Sequence, residues 1–570
     1  MTDASGTTAW VYDARGNVLS ETRVMAGKTY VVSYVYDLAD KVTKITYPSG
    51  RIVDVARDST GRVGGITTKQ NAAAASAVLA SGVAYQPFGD LQSLTYGNGL
   101  SLWRTFTADD ELNQLLVTNV PTGVSLIKRF HDRQDNGLNL TKIDAYDDVS
   151  PPPHQTFWYS PSRKLQNATG VWGDLTYYYG PGGNRTYEIL TQGATTSTKV
   201  TNYEAASNRI AAVTTDGTTT RTFGHDNAGN VITDTRGSTV WSFTHNAAGR
   251  LSQASVGGSV RGAYTYDGME RLAIRAVTNT TPSGTTHLIY DTAGHLLAEA
   301  NAVSGATIRE YVWLEVEAQG ADTGPTSRPA NDNDDAGGQL GSAENDNDPT
   351  ARAQLPSLNG PKRGIAPRAV PLAVVADVDT ASPTTLFVHA DHLDRPVRMT
   401  NASQTLVWDA VYKPYGEVAS ITGSASLDAR FPGQWFQLET GLHYNWHRTY
   451  DPTTGRYLQP DPLGFVDGPS VYAYASSSPV MRTDDKGLAI SDQMSPRSCG
   501  QTGFPKQLMS DSTLLFEEGS GASRVDERRG MGVLRAFPDR EPDAGRAAAP
   551  GPSAGARRRA VCDAHGGAMA

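Results

Sequence analysis

The feature that most constrains the fold is a short phrase that returns along the first 300 residues. It consists of an aromatic residue, Asp or Asn, two variable residues, usually glycine, and then a short apolar run, as in "YDARGNVL". The clear copies begin at Tyr12, His225, His245, Tyr266 and Tyr290. Their Asp or Asn at positions 226, 246, 267 and 291 are 20, 21 and 24 residues apart. A repeat at this spacing predicts an array of one supersecondary unit.

Each copy of the phrase predicts a strand, a turn and a second strand. Asp or Asn opens a turn through its side chain, and glycine supplies the positive φ that the turn requires. The stretch "LTYGNGLSLWRTF" follows the same pattern: Leu100, Leu102 and Phe106 share one face after a glycine turn, and Arg104 is the exception on that face. No window carries a long apolar stripe with the helical period. We therefore predict an all-β fold of hairpins with few helices.

Charge and cysteine usage limit the function classes. The net charge is −9, so there is no surplus of Lys and Arg to neutralise phosphates, and we expect no nucleic acid partner for the repeat region. The two cysteines, Cys499 and Cys562, both stand in the last segment. The first 490 or so residues must therefore fold without disulfides, and redox chemistry does not fix the compartment.

Two stretches interrupt the pattern. Residues 315–369 have almost no aromatic or β-branched content and cannot bury enough apolar surface to offset their ordering entropy, so they are predicted to be a disordered insertion. The strand-like runs on either side, "REYVWL" at 309–314 and "VPLAVVADVD" at 370–379, are expected to be neighbours in space. Residues 489–570 are rich in Ala, Gly, Pro and Arg without periodicity, which predicts either a small separate unit or a disordered tail.

Three phrases in the second half occur in a fixed order over about a hundred residues. They are "FVHADHLDRPVRMTNASQTLVWDAVYKPYGE" at 387–417, "RFPGQWFQLETGLHYNWHRTYDPTTGRYLQPDPLGF" at 430–465 and "VYAYASSSPVMRTDDKGL" at 471–488. Together with the Tyr-Asp repeats, they resemble the RHS or YD-repeat family and its repeat-associated core domain. The resemblance divides the chain into repeats at 1–314, the insertion at 315–369, a core domain at 370–488 and a variable tail at 489–570.

The resemblance implies a β-hairpin ribbon wound as a hollow shell, or part of one, and capped by the core domain. Such shells occur in bacterial RHS toxins, in the C components of insecticidal toxin complexes and in teneurins. In the bacterial members a variable toxic segment follows the core domain, and the shell encapsulates and releases it. The implied function is that of a polymorphic toxin shell used in bacterial competition, with the chain's own tail as cargo.

The resemblance also implies one self-cleavage, after Leu488, by an aspartyl-protease-like site. Asp461 in "QPDPLGF" matches the aspartate that carries this cleavage in the family. Such chemistry needs two carboxylates that share one proton. Asp484 matches the aspartate near the cut bond, while Asp451 and Glu439 are alternatives for the second carboxylate. The expected bond, Leu488–Ala489, coincides with the change in composition at the start of the tail.

The chain departs from the family pattern close to that bond. The family's Asp-Pro-x-Gly-Leu is "DDKGL" here, with Asp485 in place of proline, and Ser478 replaces the asparagine of an Asn-Pro pair. The segment "VDGPSVYAY" replaces the usual Gly-Gly-x-Asn-Leu-Tyr. An added charge at Asp485 would perturb the local pKa balance and impair cleavage.

The histidine-rich phrases are predicted to be structural. In "HADH" only His389 and Asp391 share a strand face, whereas His392 points to the other, and two ligands do not make a closed metal site. The residues of "GLHYNWHR", including His443, Trp446 and His447, are interpreted as packing in the core domain. We therefore expect no metal and no cofactor.

Location and partners follow from weaker observations. No apolar run reaches the roughly 20 residues of a membrane span, and "MTDASGTTAW" lacks a secretion signal. We expect cytoplasmic synthesis and then a non-classical route to the cell surface or the medium, with secretion machinery as a partner, or a chain truncated within a repeat. Two alternative functions stay open: a non-catalytic surface protein that binds carbohydrate or protein, and an inactive RHS fragment.

Overall fold

The computed structural model describes residues 1–87, 89–134, 139–150, 154–205, 207–316 and 368–492. These residues belong to one compact unit, Met1–Thr502, while the second unit, Gly503–Ala570, lies outside the described ranges. Most of the predicted insertion and nearly all of the predicted tail also lie outside the described residues.

Strands β1 to β33 form one sheet in which each strand pairs antiparallel with the next along the chain. The first eleven are β1 Thr2–Asp3, β2 Gly6–Tyr12, β3 Val18–Met25, β4 Lys28–Tyr36, β5 Val42–Thr46, β6 Ile52–Arg57, β7 Val63–Lys69, β8 Ala77–Tyr85, β9 Leu91–Tyr96, β10 Leu100–Phe106 and β11 Leu112–Asn119. The next eleven are β12 Ser125–Gln134, β13 Asn139–Ala145, β14 Gln155–Tyr159, β15 Leu165–Gly170, β16 Gly173–Tyr179, β17 Arg185–Gln192, β18 Thr195–Tyr203, β19 Ile210–Thr215, β20 Thr218–His225, β21 Val231–Arg236 and β22 Thr239–His245. The last eleven are β23 Leu251–Val256, β24 Ser259–Tyr266, β25 Leu272–Val277, β26 Gly284–Tyr290, β27 Leu296–Asn301, β28 Thr307–Val316, β29 Arg368–Ala376, β30 Thr384–Ala390, β31 Pro396–Thr400, β32 Leu406–Tyr412 and β33 Val418–Gly423.

Two smaller sheets follow the long one. The first contains β34 Trp435–Gln437, β35 Leu442–Asn445, β36 Arg448–Asp451 and β37 Arg456–Tyr457, and the second pairs β38 Arg482–Thr483 with β39 Ser491–Asp492. Within the described ranges the only helical segment is a 3-10 turn at Ala475–Ser477. The prediction of an all-β fold with few helices is confirmed.

The repeated phrase forms a five-residue turn. In the turn that starts at Asp291, the carboxylate Oδ1 accepts hydrogen bonds from the N–H groups of Ala293 at 2.9 Å and His295 at 2.8 Å. The fourth position has positive φ, 94° at Gly294 and 61° at Glu270, which explains why glycine is usual there. The same pair of side-chain contacts forms at Asp13, Asp37, Asp58, Asn246, Asp267, Asp391 and Asn401.

The tyrosine of the phrase links neighbouring hairpins. The Tyr290 hydroxyl donates to the carbonyl oxygen of Leu272 at 2.8 Å, and Leu272 is the first residue after the preceding turn. Equivalent bonds run from Tyr36 to Val18, Tyr85 to Val63, Tyr179 to Leu165, Tyr203 to Arg185 and Tyr266 to Leu251. Each repeat is therefore tied to the one before it by a side chain as well as by the sheet.

The long sheet continues across the predicted border of the core domain. Strand β28 pairs with β29, from Arg309 opposite Ala376 to Val316 opposite Arg368, which confirms that the two runs flanking the insertion are neighbours. Strands β29 to β33 extend the same sheet to Gly423. The division at 370 is therefore not marked by a change of sheet, and the domain limits stay a prediction.

Buried ion pairs attach the small sheet to the repeats. Glu439 Oε2 lies 2.5 Å from Arg275 Nη2 in β25, and Asp451 Oδ2 lies 2.8 Å from Arg221 Nη2 in β20. The backbone contributes as well, since the N–H of Val231 donates to the carbonyl oxygen of Leu458 at 3.0 Å. Contacts between residues more than 160 positions apart thus hold β34 to β37 in a fixed place.

We predict that Tyr290→Phe destabilises the fold by about 1–2 kcal/mol, because it leaves the carbonyl oxygen of Leu272 without its buried hydroxyl donor. Tyr178→Phe, which alters a side chain that is 52% exposed, is the matched control and should leave stability unchanged. Urea denaturation followed by tryptophan fluorescence measures both. Equal midpoints for the two variants would contradict the linking role of the tyrosine.

Candidate active site

The carboxylates of Asp461 and Asp484 meet on a single arginine. Arg448, the first residue of β36, places its Nη2 3.0 Å from Asp461 Oδ2 and 2.8 Å from Asp484 Oδ2. Arg448, Asp461 and Asp484 are only 3%, 8% and 1% exposed. Buried charges are costly unless they are paired and hydrogen-bonded. The arginine is therefore what allows two carboxylates to occupy this small, dry space.

The small sheet fixes Asp484. The hydroxyl of Tyr457 in β37 donates to Asp484 Oδ2 at 2.8 Å. Asn445, at the end of β35, donates through Nδ2 to the Tyr457 oxygen and to the Asp484 carbonyl, both at 2.8 Å. The Arg448 guanidinium lies over the Tyr457 ring, 3.8 Å from its centroid. Three adjacent strands thus each contribute one side chain that orients the carboxylate.

Asp461 is fixed by the turn that it opens. Its Oδ1 accepts from the N–H of Leu463 at 2.8 Å, and its carbonyl accepts from the N–H of Gly464 at 3.0 Å. Its own N–H donates to Val471 at 2.8 Å. One carboxylate oxygen is therefore used by the turn, which leaves Oδ2 to face Arg448.

The chain that follows Asp484 returns into the same site. Asp484 Oδ1 accepts from the N–H of Leu488 at 2.8 Å, and Arg448 Nε donates to the carbonyl oxygen of Gly487 at 2.6 Å. The bond predicted to be cut, Leu488–Ala489, thus comes directly after a backbone segment that both Asp484 and Arg448 hold.

The electrostatics favour a proton on Asp461. Burial raises the pKa of the Asp461 carboxyl, the Arg448 guanidinium and the N–H of Leu463 work against that rise, and the charge of Asp484 adds to it. The pKa of Asp485 is also raised, chiefly by burial, with Asp484 contributing. A carboxyl group that retains its proton more readily, beside a second carboxyl group, is suited to general acid and base work.

The structure places the alternative carboxylates with other partners. Glu439 pairs with Arg275 and Asp451 pairs with Arg221, whereas the ion pairs of Arg448 are with Asp461 and Asp484. Burial alone would raise the pKa of Asp451, but Arg221 outweighs it and holds the pKa well below its usual range. These two carboxylates link the small sheet to the repeats.

Sequence analysis missed three side chains of the site: Arg448, Tyr457 and Asp467. The hydroxyl of Ser476 donates to the backbone carbonyl of Asp467 at 2.7 Å, and the Asp467 carboxylate accepts from the N–H of Ile490 at 3.3 Å. Asp467 stands in "VDGPS", a segment that departs from the family pattern, and that departure was the available indication. Arg448 and Tyr457 carry no indication in sequence, because their role depends on which strands pair.

The histidine phrases have structural partners. His389 Nε2 lies 2.9 Å from Thr400 Oγ1, and His443 Nδ1 lies 2.8 Å from Gln434 Oε1. His447 Nδ1 contacts Arg250 Nη2 at 2.6 Å. In the part of the chain that the structure describes, no group of three or more His, Cys, Asp or Glu side chains is arranged to hold a metal ion.

Comparison with known proteins gives the lineage. No family model matches the chain. The toxin protein Tse5 of Pseudomonas aeruginosa is 39% identical over 104 residues, 18% of this chain and 8% of that protein. The double-stranded DNA deaminase toxin A of Burkholderia cenocepacia is 24% identical over 384 residues, 63% of this chain and 25% of that protein. The probable deoxyribonuclease RhsA of Dickeya dadantii is 32% identical over 148 residues, 26% of this chain and 10% of that protein.

A solved structure matches the fold over most of the chain. The crystal structure of TcdB2-TccC3 superposes with a TM-score of 0.65 and 18% identity, covering 85% of this chain and 24% of the other. The chain is an RHS/YD-repeat protein. The RHS chain spans a quarter or less of the length of each of these proteins. Among its described residues, no helix is long and apolar enough to cross a membrane.

We predict that Arg448→Met destabilises the RHS chain by about 3–5 kcal/mol at neutral pH, because it leaves two buried carboxylates facing each other without a cation. The loss should be larger at pH 8 than at pH 5. Without the arginine the folded-state pKa values of both carboxyls rise above their unfolded values, so stability falls as pH rises through the folded values.

Thermal unfolding at the two pH values measures this effect. Arg15→Met removes an arginine from an exposed ion pair and should cost no more than about 1 kcal/mol at either pH. A loss for Arg448→Met that is the same at pH 5 and pH 8 would show that the carboxylates do not depend on this cation.

Proposed function

We propose that this RHS chain is the shell part of a polymorphic toxin and that it cuts itself once, between Leu488 and Ala489. Residues 489–570 are then the variable C-terminal segment that the shell carries and releases. The long antiparallel sheet, the toxin relatives and the TcdB2-TccC3 neighbour support the shell role. The arrangement around Arg448 supports the cleavage.

One observation carries the cleavage proposal. The N–H of Leu488 is bound to Asp484 and the carbonyl of Gly487 is bound to Arg448, so the chain on the N-terminal side of the bond is already held beside two carboxyl groups. Holding reactants in place removes much of the entropic barrier to reaction. An intramolecular site of this kind has its substrate bound from the moment of folding and needs to turn over only once.

The reaction is hydrolysis of a peptide bond by a pair of carboxyl groups. Asp484, as the carboxylate, takes a proton from a water molecule whose oxygen attacks the carbonyl carbon of Leu488. Protonated Asp461 donates to the carbonyl oxygen as the tetrahedral intermediate forms. The C–N bond then breaks, the nitrogen of Ala489 gains a proton, and Leu488 retains a carboxylate. The raised pKa of Asp461 supports its role as the acid.

The partners and the location of the shell follow from the same proposal. The first partner is the chain's own C-terminal segment. TcdB2 accompanies TccC3 in the neighbouring structure, and a companion shell protein or a secretion machine would serve this chain in a similar way. The chain is made in the cytoplasm and reaches the medium or the cell surface by a non-classical route.

A second candidate function rests on exposed aromatic side chains. Trp103, Tyr146, Trp158 and Tyr178 are each more than half exposed, and β16 and β17 place Tyr178 directly opposite Tyr187. Aromatic side chains with one exposed face are typical of binding surfaces. A chain that stays uncut and binds a carbohydrate array would favour this non-catalytic function over the protease.

We predict that the purified chain consists of two fragments, 1–488 and 489–570, and not of one 60.9 kDa species. Asp461→Asn and Asp484→Asn each remove one member of the carboxyl pair and should leave the chain uncut. Intact-mass spectrometry after expression, with incubation between pH 5 and pH 8, measures the products.

Matched controls separate the four carboxylates. Asp451→Asn and Glu439→Gln each neutralise a buried, ion-paired carboxylate outside the Arg448 site, and both variants should still cut. A wild-type chain that stays whole at every pH would overturn the cleavage proposal. Cutting that survives Asp461→Asn but stops in Asp451→Asn would move the chemistry to the other carboxylate.

We predict that Asp485→Pro accelerates the cut about tenfold at neutral pH. The buried carboxyl of Asp485 stands next to Asp484, and removing one like charge changes a neighbouring pKa by about one unit. Asp485→Asn separates the charge from the proline ring and should give most of the gain. A time course of the fragments after rapid purification measures the rates, and a slower Asp485→Pro variant would contradict the prediction.

A further inference from the structure

A third carboxylate faces the bond from its other side. Asp467 Oδ1 accepts from the N–H of Ile490 at 3.3 Å, two residues after Leu488. The Ser476 hydroxyl, which donates to the carbonyl of Asp467, holds that loop in place. Asp467 lies outside the turn of Asp461 and outside the ion pairs of Arg448. It therefore forms a separate contact with the segment that leaves.

The two backbone contacts bracket the bond. Asp484 binds the N–H of Leu488 on one side, and Asp467 binds the N–H of Ile490 on the other. The peptide bond from Leu488 to Ala489 lies between these two amides, and successive Cα atoms are only about 3.8 Å apart. The segment is thus fixed at both ends of the reacting group, which limits rotation of the Ala489 nitrogen during the reaction.

We propose that Asp467 is a positioning residue for the cut, which holds the leaving side of the Leu488–Ala489 bond through the N–H of Ile490. This inference rests on the proposed self-cleavage. The carboxylate form serves best for two reasons. A charged acceptor makes a stronger hydrogen bond than a neutral one. In addition, the Ala489 nitrogen gains a proton and positive charge as the bond breaks, and a nearby negative charge stabilises it.

The charged groups that act on Asp467 set its working range. Asp484 and Asp461 are negative neighbours that favour its protonated form, and Arg448 is the opposing cation. Burial, opposed by the N–H of Ile490 and reinforced by the two aspartates, raises the pKa of Asp467 to about 6. Asp467 is therefore mostly neutral at pH 5 and mostly ionised at pH 7.

The first test compares rates of self-cleavage in the full chain. Asp467→Asn keeps the size of the side chain and removes its charge, so the ratio of wild-type to Asp467→Asn rates should rise from about one at pH 5 to about ten above pH 7. Asp467→Glu restores the charge and should cut within about threefold of wild type above pH 7. A purely structural asparagine defect would give a ratio that does not change with pH.

The matched control is Asp485→Asn. It removes a buried carboxyl of the same motif that binds the hydroxyl of Thr483 at 2.9 Å and not the amide of Ile490. It should not slow the cut at any pH. A ratio of one throughout for Asp467→Asn, or an equal slowing by Asp485→Asn, would overturn the positioning role.

The second test does not need the cut. In the uncut Asp461→Asn chain with ¹⁵N-labelled isoleucine, the Ile490 amide signal should titrate near pH 6, and the titration should vanish when Asp467→Asn is added. An uncut wild type that shows this titration would leave the contact established and the proposed protease wrong. A chain that cuts but whose Ile490 amide ignores Asp467 would retain the protease and overturn this inference.

Discussion

The bond from each repeat's tyrosine hydroxyl to the carbonyl after the preceding turn is the interaction on which the rest of the structure depends. Two antiparallel strands alone are marginal in water. A sheet of 33 strands also needs a fixed register at every step. The aspartate turn sets the register within a hairpin, and the tyrosine sets it between hairpins, as Tyr290 does with Leu272. The spacing of about 20 residues is the length of chain that one such step consumes.

The small sheet is positioned by buried charges and not by strand pairing with the repeats. Glu439 reaches Arg275 and Asp451 reaches Arg221 across more than 160 residues of chain. Buried pairs of this kind add little net stability over apolar packing, yet breaking one is expensive, so they specify a single arrangement. The candidate site inherits its geometry from that arrangement, because Asn445, Arg448 and Tyr457 come from three strands of the small sheet.

The site itself is a balance between one cation and several acids. Arg448 compensates Asp461 and Asp484, but Asp467 and Asp485 add further carboxyl groups to the same region, and the pKa values of Asp461, Asp467 and Asp485 are all raised. Such crowding keeps protons in the site near neutral pH. The proposed cleavage would use this property, and the two aspartates that depart from the family pattern tune it.

The sequence by itself determined the all-β class, the turn chemistry and the pairing of the strands on either side of the insertion, because these depend on local patterns and on neighbours in the chain. It also singled out Asp461 and Asp484 through a family motif. Only the tertiary structure decided that Asp451 and Glu439 are ion-paired elsewhere, that Arg448 joins the first pair, and that buried Arg104 is explained by Asp394 in a turn 290 residues away. Spacing along the chain does not encode which distant strands meet, and a buried charge chooses its partner only once they do.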